Sequence, residues 1–175
     1  MIVKARDADR KKKIVVKVEK CAGCRICELI CSLSKYGELN PKRSRIRVVT
    51  LNRIPIDVPV VCGQCSVPFC IESCPVSALD RNSAGGILVN DELCADCGKC
   101  VEACPYGAIS IDTLTHTAIA CDLCNGQPLC VEWCPTGALT CVSSPLTVQE
   151  KRWSTALLLS EPLLKKWDFL SVESG

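Results

Sequence analysis

Cys94-Ala-Asp-Cys97-Gly-Lys-Cys100-Val-Glu-Ala-Cys104-Pro105 sets four cysteines at gaps of two, two and three residues and closes them with a proline. Three thiolates spaced so closely can wrap one corner of a four-iron, four-sulfur cubane, while the fourth, followed by a turn-fixing proline, points away to a neighbouring cluster. One such run therefore predicts a second. The chain supplies three more: Cys21, Cys24, Cys27 and Cys31 repeat the spacing with Ser32 where the proline would stand, Cys62, Cys65, Cys70 and Cys74-Pro75 stretch the middle gap, and Cys121, Cys124, Cys130 and Cys134-Pro135 stretch it further. Four 4Fe-4S clusters held by these sixteen cysteines are implied.

The last three runs form an internal repeat. They read Cys70-Ile-Glu-Ser-Cys-Pro-Val-Ser-Ala-Leu79, Cys100-Val-Glu-Ala-Cys-Pro-Tyr-Gly-Ala-Ile109 and Cys130-Val-Glu-Trp-Cys-Pro-Thr-Gly-Ala-Leu139, so equivalent cysteines recur every 30 residues. A fixed period of this length marks one structural unit used repeatedly.

With three Trp, two Tyr and two Phe in 175 residues, the chain has few large side chains for a core, and something else must fill its interior. Its 17 cysteines approach the density of a secreted disulfide scaffold. Against that reading, Met1 to Arg6 leads into Arg10-Lys-Lys-Lys13 with no apolar signal core behind it, and disulfide frameworks have no need of a thiolate every third residue followed by Cys-Pro. Four tetrahedral zinc sites are the nearer rival, but zinc ribbons use two separated C-x2-C pairs, which the triple at Cys94, Cys97 and Cys100 does not offer. The formal charge of +2 counts cysteines as neutral. Four 2+ clusters, each bound by four thiolates, bring the loaded protein to about −6, which removes a basic nucleic-acid-binding reading. No run reaches the roughly 18 apolar residues of a membrane span.

Ile14 to Val18 reads as a strand delivering the chain to Cys21, and Arg45 to Val49 alternates like another. Gly37 and Asn40-Pro41 mark turns, and Pro55 and Pro59 favour an edge strand or an extended arm. Ala84-Gly85-Gly86 turns into a strand at Ile87, and Ile109 to Ile119 reads as a hairpin. After each Cys-Pro the Ala-Leu or Ala-Ile ending suggests a short helix closing over the cluster. Residues 142–175 lack the pattern; Trp153, Leu157, Leu158, Leu159, Leu163, Leu164, Trp167 and Leu170, interrupted by Pro162, read as two short amphipathic helices that strap the clusters or dock a partner.

Over positions 14 to 141, the order of runs resembles the four-cluster ferredoxin-type electron-transfer subunits of anaerobic molybdenum and tungsten oxidoreductases and some hydrogenases. Cys31-Ser-Leu-Ser-Lys-Tyr-Gly-Glu-Leu-Asn-Pro-Lys-Arg-Ser-Arg-Ile46 is similar to the iron-sulfur partners of tungsten aldehyde oxidoreductases and aromatic acyl-CoA reductases. The resemblance implies an α+β fold of two bacterial-ferredoxin-like dicluster modules, short hairpins and short helices around clusters, with a C-terminal helical tail. Residues 1–60 plus 112–141 would make one module, residues 61–111 the other, and 142–175 the tail. It also implies that Cys21, Cys24 and Cys27 share a cluster with Cys134; Cys121, Cys124 and Cys130 with Cys31; Cys62, Cys65 and Cys70 with Cys104; and Cys94, Cys97 and Cys100 with Cys74. Sequential pairing is the alternative, and spacing alone does not choose between them.

Gly23, Gly63 and Gly98, each beside a ligand cysteine, would let backbone N–H groups approach the sulfurs. Arg25 and Lys99 should raise the local potential, and Asp96 and Asp122 should lower it, to the extent that they are not simply solvated loop charges. His116, the one histidine, lies in a polar turn-like segment and reads as a surface residue; Cys141, the odd cysteine, reads as a small buried hydrophobe. No dinucleotide or P-loop motif is present, so the substrate belongs to another chain. The expected role is a non-catalytic, cytoplasmic relay between a catalytic molybdenum or tungsten subunit and an external carrier, a ferredoxin or a further subunit; the alternatives are a free-standing polyferredoxin, a hydrogenase-linked electron carrier and a structural zinc protein.

Overall fold

A computed structural model describes residues 12–51 and 56–143. Pro55 and the expected helical tail from residue 144 onward lie outside the described residues.

Four two-stranded antiparallel sheets and four helices make up the described chain: β1 Lys12–Val16, α1 Ile26–Tyr36, β2 Ile46–Leu51, β3 Ile56–Val61, α2 Phe69–Glu72, β4 Leu79–Arg81, β5 Ile87–Val89, α3 Lys99–Ala103, β6 Ser110–Ile111, β7 Ala118–Ile119, α4 Leu129–Glu132 and β8 Leu139–Ser143. Pairing is nested. The first strand pairs with the last, with Ile14 opposite Cys141 and Val16 opposite Leu139, while β2–β3, β4–β5 and β6–β7 are hairpins. The helices nest in the same way, α1 packing on α4 and α2 on α3. Val142 and Ser143 belong to β8, so the sheet runs two residues past the expected tail boundary.

The expected helix after each Cys-Pro is absent among the described residues. A strand follows instead, at Leu79, Ser110 and Leu139, and the short helix comes earlier, carrying Cys70, Cys100 and Cys130. Ser77, Gly107 and Gly137 adopt left-handed φ of 51°, 59° and 66°, which ends any helical run after the proline. The following alanine then buries its methyl, Ala78 and Ala138 each to 2% exposure, and opens the strand.

The first run differs from the other three. Lacking a proline, Cys31-Ser32 continues into the 11-residue α1, whose buried face is Cys27, Glu28, Cys31 and Ser32. Ser32 Oγ donates to Leu29 O and accepts from the N–H of Asn40, so the serine also anchors the returning chain. Gly37 ends the helix in a left-handed cap at φ 71°. The strand expected from Ile14 to Val18 lies two residues earlier, because Val18–Lys20 tightens into a 3-10 turn before Cys21. The alternation at Arg45 to Val49 holds: Ile46 and Val48 are buried and Arg47 is exposed. The hairpins at Ala84–Gly86 and Ile109–Ile119 also form.

Candidate iron-sulfur centres

Cysteines from distant runs gather around two apolar cavities. Cys121, Cys124 and Cys130 line one together with Cys31, reached from 90 or more residues away, and Ile14, Ile46, Val61 and Leu123 complete its wall. Cys62, Cys65 and Cys70 line the other together with Cys104, beneath Phe69, Ile87 and Ile109. Each holds three thiols from one run and one from another, a donor set suited to a cubane. Among the described residues no three Cys, His, Asp or Glu side chains converge on a single point, as a mononuclear tetrahedral site requires.

Six of the other eight ligand candidates form two further neighbourhoods. Cys74 and Cys94 lie near enough to Cys100 to disfavour its thiolate, across the contact of α2 with α3. Cys21 and Cys24 do the same for Cys27, while Cys134 follows the end of α4, which packs on α1. Of the sixteen, only Cys24 and Cys97 are exposed.

Burial, reinforced by neighbouring thiols, drives the thiol pKa of Cys27 up to about 12, of Cys130 to about 12 and of Cys62 to about 11, and pushes Cys121 well above the ordinary range. Without metal these groups are neutral thiols at neutral pH, and iron must displace their protons to bind. Cys134 runs the other way: burial pushes it up, but N–H groups from Leu139, Thr136 and Ala138 and the Thr136 hydroxyl outweigh that.

Backbone N–H groups do reach the ligand sulfurs, and Gln64 N–H, beside Gly63, is one of them at Cys62. Ala78 N–H donates to Cys74 Sγ at 3.2 Å, Ala108 N–H to Cys104 Sγ at 3.4 Å and Arg45 N–H to Cys31 Sγ at 3.3 Å. In all three Cys-Pro-x-x-Ala turns the alanine N–H therefore serves the cysteine sulfur, with Leu139 and Thr136 joining Ala138 in the third. Gly98 instead takes φ 70° at the start of α3, and Gly63 leaves room for the Tyr106 ring, 2.8 Å from where a Cβ would stand.

Asp122 does not act as a bare negative charge. Its Oδ2 pairs with Lys35 Nζ at 2.7 Å and Arg45 Nη1 at 2.8 Å, and the group of two cations and one carboxylate lines the Cys31/Cys121 cavity with a net positive charge. Arg25 pairs at 3.4 Å with Glu28, a carboxylate only 1% exposed that sits between Cys27 and Cys31 and accepts the Val48 N–H at 2.8 Å. Asp96 meets exposed His116 at 3.0 Å, which places the histidine at the surface as expected. Cys141 is half-buried in β8 opposite Ile14, outside the four groups.

The two cavities share a wall. Cys121 O accepts from the Ile87 N–H at 2.9 Å and from Gln64 Nε2 at 3.4 Å, and Asn82 Nδ2 donates to Asp122 O at 2.7 Å. Cys62 lies close enough to Cys121 for its thiolate to disfavour that of Cys121. Gln64, 2% exposed with a left-handed φ of 49°, fills the space between their loops. Glu28, Gln64 and Arg81, which caps the Cys65 and Gly85 carbonyls, were not legible as site residues in the sequence. Adjacency to a ligand cysteine was the only signal for the first two.

The family described as 4Fe-4S dicluster domain matches residues 56–144. The chain belongs to this dicluster family. Its cofactor is therefore the 4Fe-4S cluster, and the zinc reading falls. The dicluster chain is 44% identical over 87 residues to the aliphatic sulfonate oxidoreductase polyferredoxin-like subunit of Pyrococcus furiosus, covering 49% of each chain. It is 38% identical over 84 residues to a tetrathionate reductase subunit of Archaeoglobus fulgidus, covering 48% of this chain and 41% of that one. The chain thus spans about half the length of the curated relatives it matches. A chain of the active site complex BamBC of benzoyl coenzyme A reductase aligns over 83% of this chain and 90% of its own at 28% identity and a TM-score of 0.46.

Proposed function

We propose that the chain relays single electrons through four 4Fe-4S clusters between a catalytic molybdenum or tungsten oxidoreductase subunit, of the aldehyde oxidoreductase type, and an external carrier or further subunit. The observation that carries this reading is the wall shared by Cys62 and Cys121, which makes two cysteine-lined cavities one continuous path. Names of relatives as subunits of oxidoreductases support the relay role. The partner's metal and substrate class rest on the likeness of residues 31–46 to the tungsten group.

In this reading Cys31 joins Cys121, Cys124 and Cys130, and Cys104 joins Cys62, Cys65 and Cys70, as the two cavities gather them. Cys74 joins Cys94, Cys97 and Cys100, and Cys134 joins Cys21, Cys24 and Cys27. Residues 1–60 with 112–141 then form one module and 61–111 the other. A bound 4Fe-4S cluster takes up and releases one electron without a change of ligands, at a potential set by charge, hydrogen bonds to sulfur and solvent access. The residues supply the rest. Ala78, Ala108 and Arg45 stabilise sulfur charge through their N–H groups, Lys35, Arg45 and Arg81 favour the reduced state at the two central sites, and Glu28 disfavours it at the Cys21 site. The exposed Cys24 and Cys97 mark the two ends, so electrons enter at one, cross the Cys62–Cys121 wall and leave at the other.

The chain itself is non-catalytic and cytoplasmic in this proposal. No helix among the described residues is long and apolar enough to cross a membrane. The test is iron and acid-labile sulfide on anaerobically purified protein, together with the copurifying polypeptides and their molybdenum or tungsten. About sixteen irons with a metal-bearing partner is the expected result. Sixteen irons and no partner would transfer the chain to the class of mobile polyferredoxins.

A further inference from the structure

A cleft of about 350 Å³ opens between the Pro41–Arg47 segment, β3 and the Gly107–Ile119 hairpin, and no cysteine lines it. Lys42, Arg45 and Arg47 converge on it, and none of its lining residues is an Asp or Glu. Among the described residues Lys42 Nζ has no ion-pair partner, and the guanidinium of Arg47 is bonded only to the Pro41 carbonyl. Arg45 is committed to Asp122, yet its buried Nε has no acceptor. The exposed hydroxyls of Ser110 and Thr113 add donors at the rim, above a floor of Val60, Ile109 and Ile119. Unneutralised cations and hydroxyls over an apolar floor, in a concavity of small-molecule size, suit an organic molecule with a phosphate head.

The cleft also touches both central cluster sites. Arg45 donates its N–H to Cys31 Sγ and Ala108 donates its own to Cys104 Sγ, and both residues line the cleft. A dianion held there faces two sites that each gain a negative charge on reduction. Its field must oppose that gain, and by linkage, reduction must weaken its binding by the same factor.

We propose that this cleft binds a small organic phosphate and that its occupancy lowers the reduction potentials of the two central clusters, the second half resting on the relay reading above. The test titrates phenyl phosphate and inorganic phosphate into anaerobically purified protein by calorimetry, in the oxidised and the dithionite-reduced state. Saturable binding of one phenyl phosphate, tighter than inorganic phosphate, is expected, and it should weaken severalfold on reduction. Lys42→Ala with Arg47→Ala should weaken it at least tenfold with unchanged iron content, and Lys42→Ala alone, at an exposed unpaired side chain, should weaken it in the same direction; Lys17→Ala should leave it unaltered. No saturation, equal affinity for the two anions, or equal affinity in wild type and the double variant overturns the site. Equal affinity in the two redox states, with those variants behaving as expected, overturns the coupling alone. The oxidised-state binding reads the cleft whether or not a catalytic partner exists, so failure of the relay reading would not be mistaken for failure of the site.

Discussion

Gly86→Ala should separate the two central cluster sites. A Cβ at this position would stand 2.2 Å from the carbonyl carbon and oxygen of Asp122 and 2.6 Å from its Cα, all backbone atoms that no rotamer change can move. To reach ordinary contact the Asn82–Gly86 turn must retreat from Cys121-Asp122 by about 1.2 Å, given that such contact begins at 3.4 Å. Two hydrogen bonds are stretched by that retreat: Ile87 N–H to Cys121 O at 2.9 Å and Asn82 Nδ2 to Asp122 O at 2.7 Å. Overpacking costs about 1–3 kcal/mol and each weakened bond up to about 1 kcal/mol, so the variant should lose about 3 kcal/mol. The urea midpoint of the visible cluster absorption should fall accordingly, and the dipolar broadening between paramagnetic central clusters should shrink in the reduced protein's EPR spectrum. Gly98→Ala is the control: its Cβ meets nothing within 4 Å, and only the φ of 70° is strained, worth about 1 kcal/mol with no effect on the broadening. A Gly86→Ala protein with wild-type midpoint and wild-type broadening would refute the shared wall as the path between clusters.

Cys97→Ala should lose one cluster and destabilise its module, leaving about twelve irons per chain by colorimetric assay, and an unchanged iron count would remove Cys97 from the ligands. Glu28→Gln keeps an acceptor for the Val48 N–H but deletes a carboxylate 1% exposed beside Cys27, so potentiometric EPR should show the Cys21-site cluster rising by tens of millivolts and the others scarcely moving. Burial alone would raise the pKa of Asp112, but the Leu114 N–H and the Arg43 guanidinium, 2.6 Å away, hold it below the ordinary carboxylate value. Its contribution is therefore full above the unfolded pKa near 4 and is lost as pH falls through the lower folded value. Asp112→Asn should cost about 2 kcal/mol in urea unfolding at pH 7 and less as the pH approaches 3; a difference independent of pH over that range would contradict it.

The sequence made the cofactor, the repeat and the hairpins readable for one reason: cysteine spacing and Gly/Pro turns are local. Cys94 to Cys104 must meet a cluster with the geometry their gaps permit, and Gly85-Gly86 must turn. Local spacing misled where a repeat's ending looked helical. Apart from Ala108 the Ala-Leu and Ala-Ile pairs after Cys-Pro are buried, but the left-handed residue before each, Ser77, Gly107 or Gly137, breaks the helical run there. Helix α1 was hidden because the motif drew attention to cysteines and its other buried members, Glu28 and Ser32, are polar. Their burial follows from partners 20 and 8 residues away, Val48 and Asn40.

Charge was the least readable property, since a charge's effect depends on what it meets after folding. Asp122 stands beside Cys121 and from position alone should lower that site's potential. Folding brings Lys35 from α1 and Arg45 from the start of β2 onto the same carboxylate oxygen, and the sign at the cavity wall reverses. Glu28, placed between two ligand cysteines, keeps its sign because the cation it pairs with among the described residues, Arg25, is half exposed and 3.4 Å away. Two carboxylates next to ligands therefore act oppositely. In the proposed relay the central sites, walled by Lys35, Arg45 and Arg81, are favoured for reduction over the Glu28-flanked end, so an electron arriving at the Cys21 site would run downhill to the centre and would have to be drawn uphill to leave by the same end. Replacing Lys35 with Met removes one of the two cations on Asp122. It should lower the potential of the Cys31/Cys121 cluster while leaving the Cys21 cluster nearly unchanged, and equal shifts at both would mean that the charges act through bulk field rather than through the wall they line.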